Sequence, residues 1–85
     1  MIATAQTTGP VLLYGIMELS GPGATPGTNF DNGVKLAVKE INASGGILGR
    51  RVEYVAADTQ TQPGVAKAVA QKAIDLGAYA VLGPV

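Results

Sequence analysis

The sequence predicts an α/β fold of the order strand, helix, strand, helix, strand (βαβαβ), with three parallel strands in spatial order 2-1-3 and helices on both faces of the sheet. Three observations predict it. Apolar runs of strand length alternate with stretches of helical periodicity, Gly and Pro punctuate the boundaries, and the first run is apolar on both sides, as a central parallel strand covered by helices is. Right-handed crossovers leave few arrangements of three parallel strands, and a first strand with no polar face takes the middle of the sheet.

Val11-Leu-Leu-Tyr-Gly-Ile-Met17 is that first strand. The next ten residues, Glu18 to Gly27, hold three Gly and two Pro and read as a loop. Thr28 and Asn29 stand where they can cap a helix in which Phe30, Val34, Ala37, Val38 and Ile41 recur at helical spacing, while Asp31, Lys35 and Lys39 point elsewhere. Gly45-Gly46 permits a left-handed ending, and Ile47-Leu48-Gly49 is a tight connector. Arg51 to Ala57 alternates polar and apolar residues near its start, which suits an edge strand. Asp58 to Pro63 is a polar loop ending on a Pro suited to a first helical position. The following helix puts Val65, Val69, Ala73 and Leu76 on one face against Lys67, Gln71 and Asp75, and Gly77 closes it. Ala78 to Leu82 is the third strand, ended by Gly83-Pro84.

Composition bounds the function. Eighty-five residues of 8.6 kDa amount to one small domain or a piece of one. Six basic residues balance six acidic ones and charged residues are 14% of the chain, which argues against nucleic acid as a partner. At 47% hydrophobic residues the chain is too apolar for a disordered segment, and its longest apolar stretch, Val11 to Met17, is too short to span a bilayer. With neither Cys nor His it lacks a thiolate nucleophile, the commonest general base and the usual zinc ligands, so neither a metal nor a cofactor is expected. Residues 1–10 carry no charge and no apolar run. They read as a flexible leader to a folded part over residues 11–85, and Ala3-Thr4-Ala5 lacks the basic and apolar segments that precede an export cleavage site.

In a sheet of this order, ligands sit beyond the carboxyl ends of the strands where the order reverses, between strands 1 and 3. That selects the loops Glu18–Gly27 and Gly83–Val85, with Asp58 close by. Gly21-Pro-Gly-Ala-Thr-Pro-Gly27 with Asp58 at the end of strand 2 admits a nucleotide-binding reading. Against it, the first glycine lies four residues past the strand, Pro22 and Pro26 delete two amide donors, and no Gly-Lys-Ser/Thr follows. Gly and Pro that only shape a connector, an Asp58 that caps the next turn and a solvated Arg50-Arg51 pair are the plain structural alternatives.

Leu19-Ser-Gly-Pro22, Asn32-Gly33, the run Glu40-Ile-Asn-Ala-Ser-Gly-Gly-Ile-Leu-Gly-Arg50, Asp58-Thr-Gln with Pro63, and Gly83-Pro84 together resemble the amino-terminal segment of branched-chain amino-acid ABC-importer substrate-binding proteins, the leucine-binding-like type I periplasmic binding proteins. The similarity runs from about Val11 to Val85, and its most specific part is Ile41 to Gly49.

The resemblance implies a two-lobed, hinge-closing receptor, periplasmic or facing the cell exterior, that captures a small amino acid or related carboxylate and presents it to an ABC permease without catalysing a reaction. It puts Ser20, Gly21, Pro22 and Gly23 on the cleft and makes Gly83 and Pro84 the start of the stretch that receives the ligand carboxylate. Asp58 joins them as a candidate contact. Pro26 stands where some relatives place an aromatic residue, and the family's ammonium-binding acid lies on the other lobe. On this reading residues 11–85 are an incomplete amino-terminal lobe, a partial lobe that binds ligand poorly alone. Tyr79 to Leu82 then forms an apolar edge that another copy covers, giving a homo-oligomer. The other readings are a cytoplasmic nucleotide-binding half-domain and an amide or amino-acid sensor domain of the same fold.

Overall fold

The computed structural model describes residues 9–84, so all but the last two residues of the expected leader lie outside it. Its elements are β1 (Val11–Met17), α1 (Ala24–Ala43), β2 (Val52–Asp58), α2 (Pro63–Asp75) and β3 (Ala80–Leu82). The three strands are parallel in the order β2-β1-β3, with β1 in the middle as its uniform apolarity requires. Register runs from Val11 opposite Val52 to Met17 opposite Asp58, so the last residues of β1 and β2 end side by side.

Successive strand residues face opposite sides of a sheet. Tyr14 and Ile16 pack on one side against Ala73, Val69 and Ala70 of α2, with Ala57 and Ala78 around them. On the other side Tyr54 lies across Gly15, where a Cβ would collide with its ring, and its hydroxyl donates to Asp31 Oδ1 of α1 at 2.6 Å. The two helices therefore cover opposite faces. Met17 and Val52 are the largest fully buried side chains.

Asp31 is itself buried, at 2% exposure, and Lys35 Nζ completes its pairing at 2.9 Å. This departs from the helix face expected from periodicity at its start: Asp31 lies inward with Gly27 while Phe30 is 59% exposed, whereas Val34, Val38 and Ile41 are partly buried and Lys35 and Lys39 exposed as expected. A carboxylate can take that place because both a hydroxyl and an ammonium satisfy it. Burial, then the hydrogen bond to Asp31, then its negative charge push the Tyr54 phenol above its ordinary value of 10.0. A raised phenol keeps its proton in the folded state, so the contact's contribution is complete below pH 10 and lost only in stronger alkali. Tyr54→Phe, which strands the buried carboxylate's second partner site, is expected to destabilise the fold by about 2 kcal/mol in urea titration. A change under roughly 0.5 kcal/mol would deny the contact any net value.

The outer edge of β2 is closed at its start. The Asn42 side-chain amide donates to the Val52 carbonyl and accepts the Val52 N–H, both at 2.8 Å, as a neighbouring strand would. Arg50 Nε donates to the Gly9 carbonyl at 2.8 Å, which ties down the entry to β1, so Arg50 is engaged rather than merely solvated.

Other boundaries differ from expectation by their local chemistry. α1 begins at Ala24, before Thr28 and Asn29, and its N-cap is Gly23. Pro26 is compatible with the first turn because the N–H it lacks there has no intrahelical partner. β2 starts one residue later than expected and includes Asp58, and β3 is shortened to Ala80–Leu82. Ala78 N–H is taken instead by the Ala73 carbonyl at the end of α2. The expected endings hold: Gly46 N–H returns to the Ile41 carbonyl at 2.9 Å, Gly77 follows α2 at φ 71°, and Pro63 opens α2.

Candidate ligand-binding rim

The carboxyl ends of β1 and β2 are laced together by the residues that follow them. Asp58, the last residue of β2, accepts four hydrogen bonds on its carboxylate. Leu19 N–H (2.9 Å), Ser20 N–H (3.1 Å) and Gln60 N–H (2.8 Å) donate to Oδ1, and Ser20 Oγ donates to Oδ2 at 2.6 Å. These bonds, the Ser20 hydroxyl first and the Gln60 amide next, hold the Asp58 carboxyl below its ordinary range against a smaller opposing effect of burial. Asp58 thus braces the loop after β1 across the sheet as well as capping its own turn.

Thr61 makes the second lace. Its Oγ1 donates to the Ser20 carbonyl at 2.8 Å and accepts the Gly23 N–H at 3.1 Å. Gln60 and Thr61 hold this position with φ of 56° and 58°, a left-handed conformation that a β-branched residue rarely adopts. Such strain costs about 1–3 kcal/mol per residue and persists only where the surroundings fix it. Gly21 faces this pair at φ 81°, and a Cβ there would lie 2.7 Å from the Gln60 carbonyl oxygen, so both backbone angle and space demand glycine.

The predicted residues fall into two groups. Ser20, Gly21, Pro22, Gly23 and Asp58 come together in the laced loop pair, with Gly21 and Pro22 exposed at its crest. Gly83 and Pro84 follow β3, on the other side of β1 from β2, and both are exposed. Pro84 reaches the rim across an open depression of about 280 Å³ that it lines with Glu18, Thr59, Thr61, Gln62, Pro63 and Ala66. Thr61 and Glu18 were not singled out by sequence. A threonine in a polar loop carries no signal of a left-handed backbone, and a lone glutamate after a strand is ordinarily solvated.

The depression stands at the carboxyl end of the sheet beside the reversal of strand order, where α/β sheets hold ligands. The family model for periplasmic binding proteins matches residues 15–85. Over 70 residues, 82% of the chain, the sequence is 41% identical to the Leu/Ile/Val-binding protein BraC3 of Rhizobium johnstonii. Over 79 residues, 89% of the chain, it is 38% identical to the chemotactic signal transduction system substrate-binding protein BasB of Halobacterium salinarum. In both cases the chain spans 19% of the relative's length. Among solved structures, the branched-chain amino acid transporter substrate-binding protein LivJ of Streptococcus pneumoniae, in complex with isoleucine, superposes with a TM-score of 0.79 at 36% identity. That match covers 91% of this chain and 22% of LivJ. By the family model over residues 15–85, by sequence identity and by superposition alike, the chain belongs to the periplasmic binding protein family.

Proposed function

We propose that this chain forms part of the first lobe of an extracytoplasmic solute receptor for amino acids, branched-chain amino acids first among them, which delivers its ligand to the permease of an ABC importer. One observation carries the reading: the Asp58- and Thr61-laced loop stands at the sheet's ligand-binding end in a chain 41% identical to a Leu/Ile/Val-binding protein. Ser20, Gly21, Pro22 and Gly23 form one side of the cleft, Gly83 and Pro84 open the other, and Asp58 positions the first side rather than touching ligand. The receptor binds and releases, with no bond made or broken. Its place is the periplasm or the cell exterior, as the family name of its relatives suggests.

The nucleotide reading loses support at the same atoms. Gly23 N–H is taken by Thr61, and Leu19 and Ser20 N–H by Asp58, which leaves the loop poor in amides for a pyrophosphate. The likeness to BasB favours a second reading within the same binding class, in which the captured solute is reported to a chemotactic receptor. Titration calorimetry of the complete protein with leucine, isoleucine and valine is expected to give saturable heat with at least one of them. Silence with all three overturns the amino-acid reading.

The exposed edge of β3 suggests a further partner for the 85-residue chain taken alone. Tyr79 and Val81 are 62% and 47% exposed beside a three-residue strand, and an uncovered apolar strand edge invites pairing. The isolated chain is expected to associate through this edge into a homo-oligomer. Sedimentation velocity should show species heavier than the 8.6 kDa monomer, and a monomer persisting at high concentration would refute that association.

A further inference from the structure

We propose that the Asn42 side chain bars a second copy of this chain from pairing with the outer edge of β2. Backbone groups in a strand point alternately to its two neighbours. Val11 N–H donates to the Arg51 carbonyl at 2.8 Å and Thr59 N–H to the Met17 carbonyl at 2.9 Å, so the odd-numbered residues here turn their backbone groups to β1. Val52, Tyr54 and Ala56 turn theirs outward. Asn42 meets the first of these with both halves of its amide, Nδ2 donating to the Val52 carbonyl and Oδ1 accepting the Val52 N–H, each at 2.8 Å. Among the described residues no such partner stands beside Tyr54 or Ala56 on that edge.

The edge suits a copy of itself. Two β2 strands laid antiparallel about a two-fold axis at Tyr54 bring Tyr54 opposite Tyr54 and Val52 opposite Ala56 on either side, and each of these facing pairs exchanges two backbone hydrogen bonds. In that register Glu53 faces the exposed, uncharged Val55, so no like charges oppose the union. β2 also lacks the usual protections of an open edge: it holds no Pro and no Lys, and its register with β1 runs unbroken from Val52 to Asp58. With Val52 engaged by Asn42 in both copies, only the central Tyr54 pair can form, too short a seam to repay the freedom lost on association. The helix itself does not explain Asn42, because alanine is the better helix former in the last turn of α1. An amide does, since it carries the donor and the acceptor that stand in for a strand.

The test uses the complete protein and sedimentation velocity over a rising series of concentrations. Asn42→Ala is expected to gain a species of about twice the parent's mass that grows with concentration and is absent from the parent at the same concentrations. Adding Val55→Glu to Asn42→Ala sets a carboxylate opposite Glu53 of the other copy and is expected to restore the parent's mass. Tyr54→Phe, which lowers stability while leaving Asn42 in place, is the control and should sediment as the parent does. Asn42→Ala that stays at the parent's mass, association that survives Val55→Glu, or equal association by Tyr54→Phe overturns the proposal.

Discussion

Gly27→Ala is expected to destabilise the fold by about 3 kcal/mol, although alanine is the better helix former in isolation. Gly27 is buried in the first turn of α1, and a Cβ there would run into the Glu18 carbonyl oxygen, with the Glu18 carbonyl carbon at 2.6 Å and its Cα at 3.0 Å. All three are backbone atoms and cannot rotate aside. Either α1 backs away from the sheet or the loop after β1 is pushed out of its laces, and both outcomes disturb Ser20 and Gly21. Gly33 supplies the control within the same helix. It is exposed and an added Cβ meets nothing within 4 Å, so Gly33→Ala is expected to stabilise by roughly 0.5–1 kcal/mol through helix propensity alone. Urea titrations of both variants decide the matter: if Gly27→Ala behaves like Gly33→Ala, the close approach of α1 to Glu18 is refuted.

The second large effect belongs to Asp58. Asp58→Ala removes the acceptor of four hydrogen bonds and frees the Leu19–Ser20 backbone, so ligand affinity in the complete protein is expected to fall roughly tenfold or more. Asp58→Asn keeps one carbonyl oxygen for the amides and should fall between. Acid reads out the same brace. Because the folded state holds the Asp58 carboxyl below its ordinary value of 3.8, its contribution is present above that pH and lost as pH falls through the lowered value. The variants should therefore show a shallower loss of stability than the parent at the acid end. Matching acid profiles for parent and Asp58→Asn would mean that the carboxylate does not couple to folding.

The architecture was legible because its causes are local. β1 runs from Val11 to Met17 as read, since an apolar run bounded by Pro10 and a Gly- and Pro-rich segment has few alternatives, and the central place of β1 followed from its lack of a polar face. The start of α1 was not legible. Composition marked Ala24 to Gly27 as loop, but Pro26 is tolerated in a first turn and Gly27 is there for its contact with Glu18, nine residues back. The inward turn of Asp31 was hidden for the same reason, because its partner Tyr54 lies 23 residues away on another element. The rim followed from strand order, whereas its wiring did not. The bonds from Leu19 and Ser20 to Asp58, and from Thr61 to Ser20, span 38 to 41 residues, and no short-range pattern announces them.

The cross-linking of the two loops has a consequence for the thermodynamics of capture. Segments that must be immobilised when a solute arrives subtract their lost freedom from the affinity. Here the loops after β1 and β2 are already fastened to each other, so in the proposed receptor the lip would meet its guest as one stiff body and forfeit little entropy on contact. On that reading, motion that admits and encloses the guest would come from elsewhere in the receptor, by displacement of this lip as a unit.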